Sequence, residues 1–426
     1  MNYIKIIALC IVIVLCIRPI NAQQTIKFTV EQAEKQFLEK NLRIFAERCN
    51  IGIADAAIVQ AKLFNNPTIT AGDINFWHSN AAEELEVSPS PFGNRVVYSL
   101  ELEQMIRTAG KRRKLIDMEK VSKEIAIQEF EAFLSGLKTE LKTLLYETLF
   151  LQSYMEIINL QLQSVNNLVE VYKMQSSRGN VAKSELIRLQ VSLIELETEA
   201  NEMLAELNSR YRELKVLLNI QPETAILLIP TTVLTKNPDE ISLSNLMEMA
   251  INSRPEFLLA DLDVKLNEKA LKYEKAQRLP DISLSMNYDR YGGVWKNFIG
   301  FGIGVDIPMF DRNQGAIKMA KLSIEQANYN AENERNTVLH EIVEFFNNYK
   351  INYNFYRKLA DSDFFDDLEN MLEVYSRNLL NRNINMLEYI DFMEACLSAK
   401  KAILTAKKNL EISFAELEFS VNNQIK

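Results

Sequence analysis

The chain has 426 residues, a formal net charge of −9, and only 12 glycines and 10 prolines. Its acidic balance argues against nucleic acid as a partner, because basic surface is what attracts a phosphate backbone. With 47% hydrophobic residues and so few helix breakers, the composition predicts long uninterrupted helices around a buried core.

Residues 1–22 have the pattern of a secretory signal peptide. A single positive charge precedes an apolar run from Ile6 to Ile17, and RPINA ends the segment at Ala22. That run has about 12 residues against the roughly 20 that a membrane-spanning helix needs, so cleavage before Gln23 is favoured over a membrane anchor. The residues before Cys16 are bulky, so we do not expect a lipidated N-terminus. Loss of the segment would move the net charge from −9 to −11.

The sequence of the first half of the mature chain predicts five elements, three helices and two strands. A helix from 29 to 63 is followed by two strands at 67–78 and 94–106, which a turn-rich SPSPFGN loop separates. A very long helix at 111–176 then ends at SSRGN, and a further helix covers 182–218. Leucines at heptad-like spacing in the last helix predict side-by-side helix packing.

The second half repeats this order after a connector at 221–240. We predict a helix at 243–278, strands at 281–291 and 297–308, a long helix at 315–379 and a helix at 385–422. The phrase NNLVEVY at 166–172 returns 203 positions later as ENMLEVY at 369–375, and Glu185 matches Glu388 at the same offset. We therefore predict two structural repeats, 23–220 and 241–426.

Each predicted strand alternates apolar and polar residues over about ten positions, the length of a tilted membrane-spanning strand. The apolar side would face lipid and the polar side water. The polar positions give a set of candidates for the wall of a lumen: Glu101, Glu103, Asn287, Asp289 and Asp306. Four strands are too few to close a barrel, so several copies would have to share one, and three copies would supply twelve strands.

Sequence patterns for enzyme chemistry are lacking. The two histidines, His78 and His340, are far apart, and no metal-protease, nucleophile-elbow or phosphate-loop motif occurs. Cys49 and Cys396 are most simply two buried thiols. We expect no catalytic residues, no cofactor and no metal site.

At this point the chain resembles the TolC-like outer-membrane efflux proteins, in particular their heavy-metal and multidrug branches. The most specific stretch is VDIPMFDRNQGAIKMA at 305–320, and LEQMIRTAGKRRKLI at 102–116 is similar to the corresponding passage of the first half. RGNVAKSELIRLQ at 178–190 and NRNINMLEYID at 381–391 resemble the turns at the periplasmic tip of that family.

The resemblance implies a mainly α fold with a small antiparallel β part. A long α-helical, coiled-coil-like barrel would join four strands per protomer of a homotrimer to a shared twelve-stranded transmembrane barrel. Such proteins are exit ducts of tripartite pumps in the outer membrane of Gram-negative bacteria. Their partners are a periplasmic adaptor, an inner-membrane transporter of RND or ABC type, and the lipid bilayer.

The resemblance also assigns a periplasmic gate to polar residues near the tips: Ser184, Glu185, Asn385 and Glu388, with Arg178 and Arg382 close enough in sequence to pair with the acids. Asn385 stands where the family often has an acidic residue. Two alternatives remain open: the exit duct of a type I protein-secretion system, and a periplasmic coiled-coil scaffold or adaptor without a pore.

Overall fold

A computed structural model describes residues 25–75, 97–230, 236–290, 297–361 and 364–425. The predicted signal peptide, the SPSPFGN loop and His78 lie outside these residues.

The described elements are mainly helical. The six strands are β1 (Thr25–Phe28), β2 (Thr68–Asn75), β3 (Val97–Ile106), β4 (Ala225–Leu228), β5 (Ile282–Arg290) and β6 (Asn297–Val305). The nine α-helices of the same residues are α1 (Val30–Lys40), α2 (Leu42–Lys62), α3 (Lys111–Ser177), α4 (Lys183–Leu217), α5 (Leu243–Ser253), α6 (Pro255–Gln277), α7 (Gln314–Ala360), α8 (Phe364–Leu380) and α9 (Met386–Ser420). No helix among these residues is both long and apolar enough to cross a membrane.

Three helices that the sequence predicts as single elements are each divided in two. The helix predicted at 29–63 breaks at Asn41, whose buried side chain accepts from the backbone N–H of Arg43 at 2.8 Å and of Ile44 at 3.1 Å. The helix predicted at 243–278 breaks at Arg254, because Pro255 takes the first helical position and lacks the N–H that would continue the preceding helix. The helix predicted at 315–379 is α7 and α8.

The predicted connector contains a strand that the sequence analysis missed. β4 pairs in parallel with β1 over four residues, from Thr25 opposite Ala225 to Phe28 opposite Leu228. The side-chain carbonyl of Gln152 on α3 accepts from the N–H of Leu228 at 3.3 Å. Four residues are too few to show alternation, and their pairing partner is about two hundred positions away, so no local pattern could predict this pair.

The chain forms two compact units, each built from both halves of the sequence. We call residues 25–45, 134–250 and 340–425 the helical unit, and the described residues of 46–133 and 251–339 the sheet unit. The order of elements is the same in the two halves, and the duplication itself stays a prediction.

One core cluster of the helical unit lies where the end of α3, the start of α4, α8 and the start of α9 meet. Its buried side chains are Val165, Leu168, Val169, Tyr172, Leu189, Leu196, Leu379, Met386, Tyr389 and Met393. Leu189 and Leu196 are seven residues apart, so the predicted heptad spacing of α4 does face its neighbours.

The sheet unit contains one antiparallel sheet in the order β2-β3-β5-β6. Three ion pairs show that its helices are neighbours in the corresponding order. Lys123 of α3 meets Asp55 of α2 at 2.7 Å, Lys265 of α6 meets Glu124 of α3 at 2.7 Å, and Arg335 of α7 pairs with Asp261 of α6. The helical order is therefore α2-α3-α6-α7. The sheet therefore ends at β2 and β6, and the row of helices ends at α2 and α7. The outermost helix on each side is next in sequence to the outermost strand.

Candidate functional site

The turns after α3 and after α8 are built alike. In the first, the N–H of Gly179 donates to the carbonyl of Ser176 at 3.0 Å and that of Asn180 donates to Gln175 at 2.9 Å. In the second, Arg382 donates to Leu379 at 3.1 Å and Asn383 to Asn378 at 2.9 Å. This bond pattern is that of a Schellman helix end, and all four donors and acceptors are related by the offset of 203.

One position of this turn needs a left-handed backbone, and the two turns fill it differently. Gly179 has φ +74°, whereas the equivalent Arg382 has φ +61°. A left-handed conformation is strained for arginine and costs little for glycine. The Arg382 guanidinium donates to the backbone carbonyl of Asn180, which connects the second turn to the first. The arginine thus gains a contact that glycine could not make.

The helices that follow the two turns also start differently. Asn385 is the N-cap of α9, and it forms a reciprocal capping box with Glu388: the Asn385 side chain accepts from the Glu388 N–H, and the Glu388 carboxylate accepts from the Asn385 N–H, both at 2.9 Å. At the equivalent start of α4, Ala182 provides no side-chain cap. Asn385 therefore has a structural role that an N-cap asparagine performs as well as an aspartate.

The two turns and helix starts enclose one polar cleft of about 490 Å³. Four of the six tip candidates line it: Glu185, Arg382, Asn385 and Glu388. Ser184 and Arg178 are exposed outside its lining. The ion pairs that the sequence suggested are not formed among the described tip residues, since Arg382 donates to a carbonyl and Glu388 caps its helix.

Tyr172 is a cleft residue that the sequence analysis did not select. Burial raises the pKa of its hydroxyl, the Glu185 carboxylate raises it further, and the Arg382 guanidinium opposes them. Glu185, which follows the first turn, and Arg382, in the second turn, therefore have opposite effects on the pKa of the Tyr172 hydroxyl. Its place at the end of the repeated phrase NNLVEVY was the available signal, together with Asn180 and Asn383, which match at the same offset and also line the cleft.

The sheet separates polar and apolar side chains onto its two faces. In the register of the sheet, one row runs Thr70, Glu101, Asn287, Gly300 and the next runs Thr68, Glu103, Ser285, Gly302. Asp289 lies opposite Ser99 on the same face. Four of the five lumen candidates thus share one face, whereas Asp306 follows the end of β6. Antiparallel partners point to the same side, so this face carries carboxylates, amides and hydroxyls.

The other face is apolar and exposed to a degree unusual for a folded chain. Ile69 is 73% exposed, Phe301 82% and Ile303 75%. Ile69 and Phe301 end one row that runs through Leu102 and Met286, and Ile303 lies opposite Leu284. Contiguous exposed apolar surface marks a face that another apolar medium or molecule covers.

The glycines of β6 give room to the side chains of β5. A Cβ built at Gly300 would lie 2.3 Å from the Asn287 side-chain oxygen, and one at Gly302 would lie 2.5 Å from the Ser285 hydroxyl. At Gly304 the nearest atom would be 3.5 Å away, an ordinary contact. A side chain at either of the first two positions would therefore force Asn287 or Ser285 to move, which favours glycine at 300 and 302.

Within the described ranges, no cluster of three or more His, Cys, Asp or Glu side chains could hold a metal ion. Cys49 is exposed and Cys396 is buried, so the expectation of two buried thiols is right for one of them.

No family model matches this chain. It is 21% identical over 304 residues to the cobalt-zinc-cadmium resistance protein CzcC of Cupriavidus metallidurans, an alignment that covers 70% of this chain and 67% of that protein.

Solved structures of outer-membrane channels are similar over nearly the whole chain. The Campylobacter jejuni channel CmeC matches with a TM-score of 0.75 and 14% identity, covering 92% of this chain and 85% of that one. The Vibrio cholerae protein VceC matches with 0.71 and 14%, covering 93% and 97%, and the channel OprN with 0.72 and 16%, covering 93% and 90%. The chain therefore has the fold of these channels, which confirms the TolC-like resemblance at the level of the fold.

Proposed function

We propose that three copies of this chain form a passive, gated exit duct through the outer membrane of a Gram-negative bacterium, serving a tripartite efflux pump for small toxic solutes. The observation that carries this proposal is the sheet, with one exposed apolar face, one polar face and two outer edges. Lipid would cover the apolar face, and the polar face would line water. The similarity in fold to outer-membrane channels supports the same assignment.

The outer edges indicate how copies would join. β2 and β6 end the sheet, and α2 and α7 end the helical layer beside them. Both outer helices carry exposed apolar side chains in the sheet unit: Ile53 and Val59 on α2, and Met319 and Leu322 on α7. Contact between β2–α2 of one copy and β6–α7 of the next is head-to-tail, and it gives a ring when the rotation from copy to copy adds up to a full turn. Three copies would give a twelve-stranded barrel in which every backbone N–H and C=O has a partner.

The tip cleft is the proposed gate. It places Glu185 and Glu388 from the two hairpins of one protomer near each other, and threefold symmetry would bring six such carboxylates together. Like charges at short distance repel unless they are paired or bind cations, so these acids would set both closure and cation preference at the entrance. A periplasmic adaptor and an inner-membrane transporter of RND or ABC type would act at this end.

The substrate class is proposed from one relative. CzcC is named for resistance to cobalt, zinc and cadmium, so we propose divalent metal ions as exported solutes. The acidic residues of the polar sheet face, Glu101, Glu103 and Asp289, would tolerate cations in the lumen. Loss of the gene should then lower the tolerance of the cell to these metals, and unchanged tolerance would reject the metal assignment alone.

Conductance in planar bilayers tests the duct and the gate separately. Glu185→Gln with Glu388→Gln should conduct more than the wild-type protein, because the neutral side chains no longer bind the cations that would hold these acids, and with them the entrance, together. Glutamine at 388 keeps the capping box, so the variant changes charge and leaves the start of α9 intact. The matched control is Glu195→Gln with Glu197→Gln, two exposed acids of α4 outside the cleft.

Each outcome has a distinct meaning. Equal conductance of the two double variants would reject the gate and leave the duct standing. Absence of any conductance, together with release of the protein from membranes by a salt wash, would reject the duct in favour of a periplasmic scaffold. Export of a protein rather than small solutes would move the assignment to a secretion system.

A further inference from the structure

A small cavity of about 40 Å³ lies in the helical unit where α3, α9 and the segment after β4 meet. Tyr146 and Ser153 of α3, Pro230, and Lys407 and Glu411 of α9 contribute to its walls. A cavity of this size has room for a water molecule but for no larger ligand. It does not belong to the tip cleft or to the polar sheet face.

Glu411 is the unusual member of this wall. Its side chain belongs to a residue that is only 8% exposed, and no hydrogen bond or ion pair to it is found among the described residues. The other carboxylates that approach α3 in this unit do have partners: Glu418 accepts from Lys142 at 2.8 Å, and Glu199 from Lys401 at 2.9 Å. A buried carboxylate without a partner is costly, whereas a carboxylic acid in the same place is not.

The carboxyl has no counterpart at the position that the offset of 203 aligns with it. The offset of 203 relates Glu411 to Asn208, a neutral amide, and Tyr146 to Tyr349. The Tyr349 hydroxyl donates to the backbone carbonyl of Lys236, near the end of the predicted connector. Tyr146 instead lines the cavity beside Pro230 and Glu411. The connector is thus held by a neutral hydrogen bond at Tyr349, whereas beside Tyr146 it packs near the titratable carboxyl of Glu411.

We propose that Glu411 is a proton-binding group whose protonation tightens the contact among α3, α9 and the segment after β4. The proposal does not depend on the duct function. A neutral Glu411 packs in the cavity wall and can donate its proton to a water or to a neighbouring oxygen. An ionised Glu411 must be hydrated by several waters, which is more than this cavity holds, so full hydration requires the three elements to separate.

The charges that face this group determine its titration. Burial raises the pKa of Glu411 to about 7, and Lys407 on the same helix opposes that rise. From α3, the Tyr146 phenol faces Glu411 and has its own pKa raised by burial first, and then by Glu411, Glu34 of α1 and Glu418. Lys408 lies over the Phe150 ring at 4.9 Å, on the same wall.

The sign of the effect on stability follows from the raised pKa. Between an unfolded value of 4.5 and a folded value of about 7, the folded chain holds the proton more tightly than the unfolded chain. The contribution is present at acidic pH and is lost as pH rises through this window. The folding constant should fall on the order of a hundred-fold from pH 4.5 to 8 through this one group.

Infrared difference spectra of the purified full-length protein between pH 6 and 8 test the titration. We expect a protonated carboxyl band in the wild-type protein that disappears near pH 7 and is absent from Glu411→Gln. The control is Glu416→Gln on the same helix, whose carboxyl pKa is also raised, by burial and by Glu344. The Glu411 band must survive in that control. A wild-type band that persists unchanged in Glu411→Gln would overturn the proposal.

Hydrogen exchange tests the mechanical consequence. At pH 8 the backbone amides of residues 225–229 should exchange several-fold faster in the wild-type protein than in Glu411→Gln, whereas at pH 6 the two proteins should agree. Comparison at equal pH cancels the intrinsic pH dependence of exchange. Equal rates at pH 8 would show that ionisation does not loosen this junction and would also overturn the proposal.

Discussion

Three helices of the helical unit are joined by one network of polar side chains. The Tyr154 hydroxyl of α3 donates to the Glu199 carboxylate of α4 at 2.7 Å, and Lys401 of α9 donates to the same oxygen at 2.9 Å. The Lys401 ammonium also lies 4.8 Å from the centre of the Tyr154 ring. Burial would raise the pKa of Glu199, but the hydrogen bonds from Lys401 and Tyr154 outweigh it and hold the pKa below its usual value.

We predict that Tyr154→Phe destabilises the protein more than Lys401→Gln does. A hydrogen bond to a charged group contributes about 1.5–3 kcal/mol, and we expect about 1.5 kcal/mol here because the Glu199 side chain is 29% exposed and regains some water. The Lys401 side chain is 43% exposed, so its ion pair is screened and should contribute about 0.5 kcal/mol.

Chemical unfolding of the wild-type protein and the two single variants, with the double variant to complete the cycle, measures these free energies. Tyr329→Phe is the matched control, because Tyr329 donates to Glu325 at 3.4 Å on the surface and is 65% exposed. It should change stability by less than about 0.5 kcal/mol. If Tyr154→Phe costs no more than this control, or less than Lys401→Gln, burial does not determine the strength of the network.

Two further predictions concern the sheet and the tip. Gly302→Ala should destabilise the protein more than Gly304→Ala, and adding Ser285→Gly should remove the difference in unfolding midpoint, because only the first Cβ meets the serine hydroxyl. Asn385→Ala should lower the free energy of unfolding by about 1 kcal/mol, because it removes the capping box of α9, and Ala182→Asn should raise it by a comparable amount by creating one at α4. Chemical unfolding measures both changes. A lower free energy of unfolding for Ala182→Asn would contradict the equivalence of the two helix starts.

Much of the fold could be predicted because its signals are local. The strand boundaries differ from the predicted ones by only a few residues. The turns after α3 and α8 lie at SSRGN and at the start of NRNINMLEYID, as predicted. Alternation every second residue identified the polar face of the sheet, and long segments without glycine or proline identified the helices. These patterns depend on residues a few positions apart, so sequence alone contains them.

The details of the tip required the structure. The offset of 203 aligned Glu185 with Glu388, but sequence could not show that Glu388 serves its own helix cap while Glu185 acts on Tyr172. Nor could it show that Arg382 occupies a left-handed position and donates to the opposite turn. Both facts depend on which side chains of two distant hairpins meet.

By itself the sequence determined the elements, their order, the two faces of the sheet and the resemblance to outer-membrane channels, because periodicity and turn residues act over short distances along the chain. Only the tertiary structure decided the β1–β4 pair, the shared cleft at the tips, and the burial of Glu411 without a partner. Those features arise between segments far apart in sequence. Each depends on which residues of the two segments come into contact, and neither segment alone specifies that.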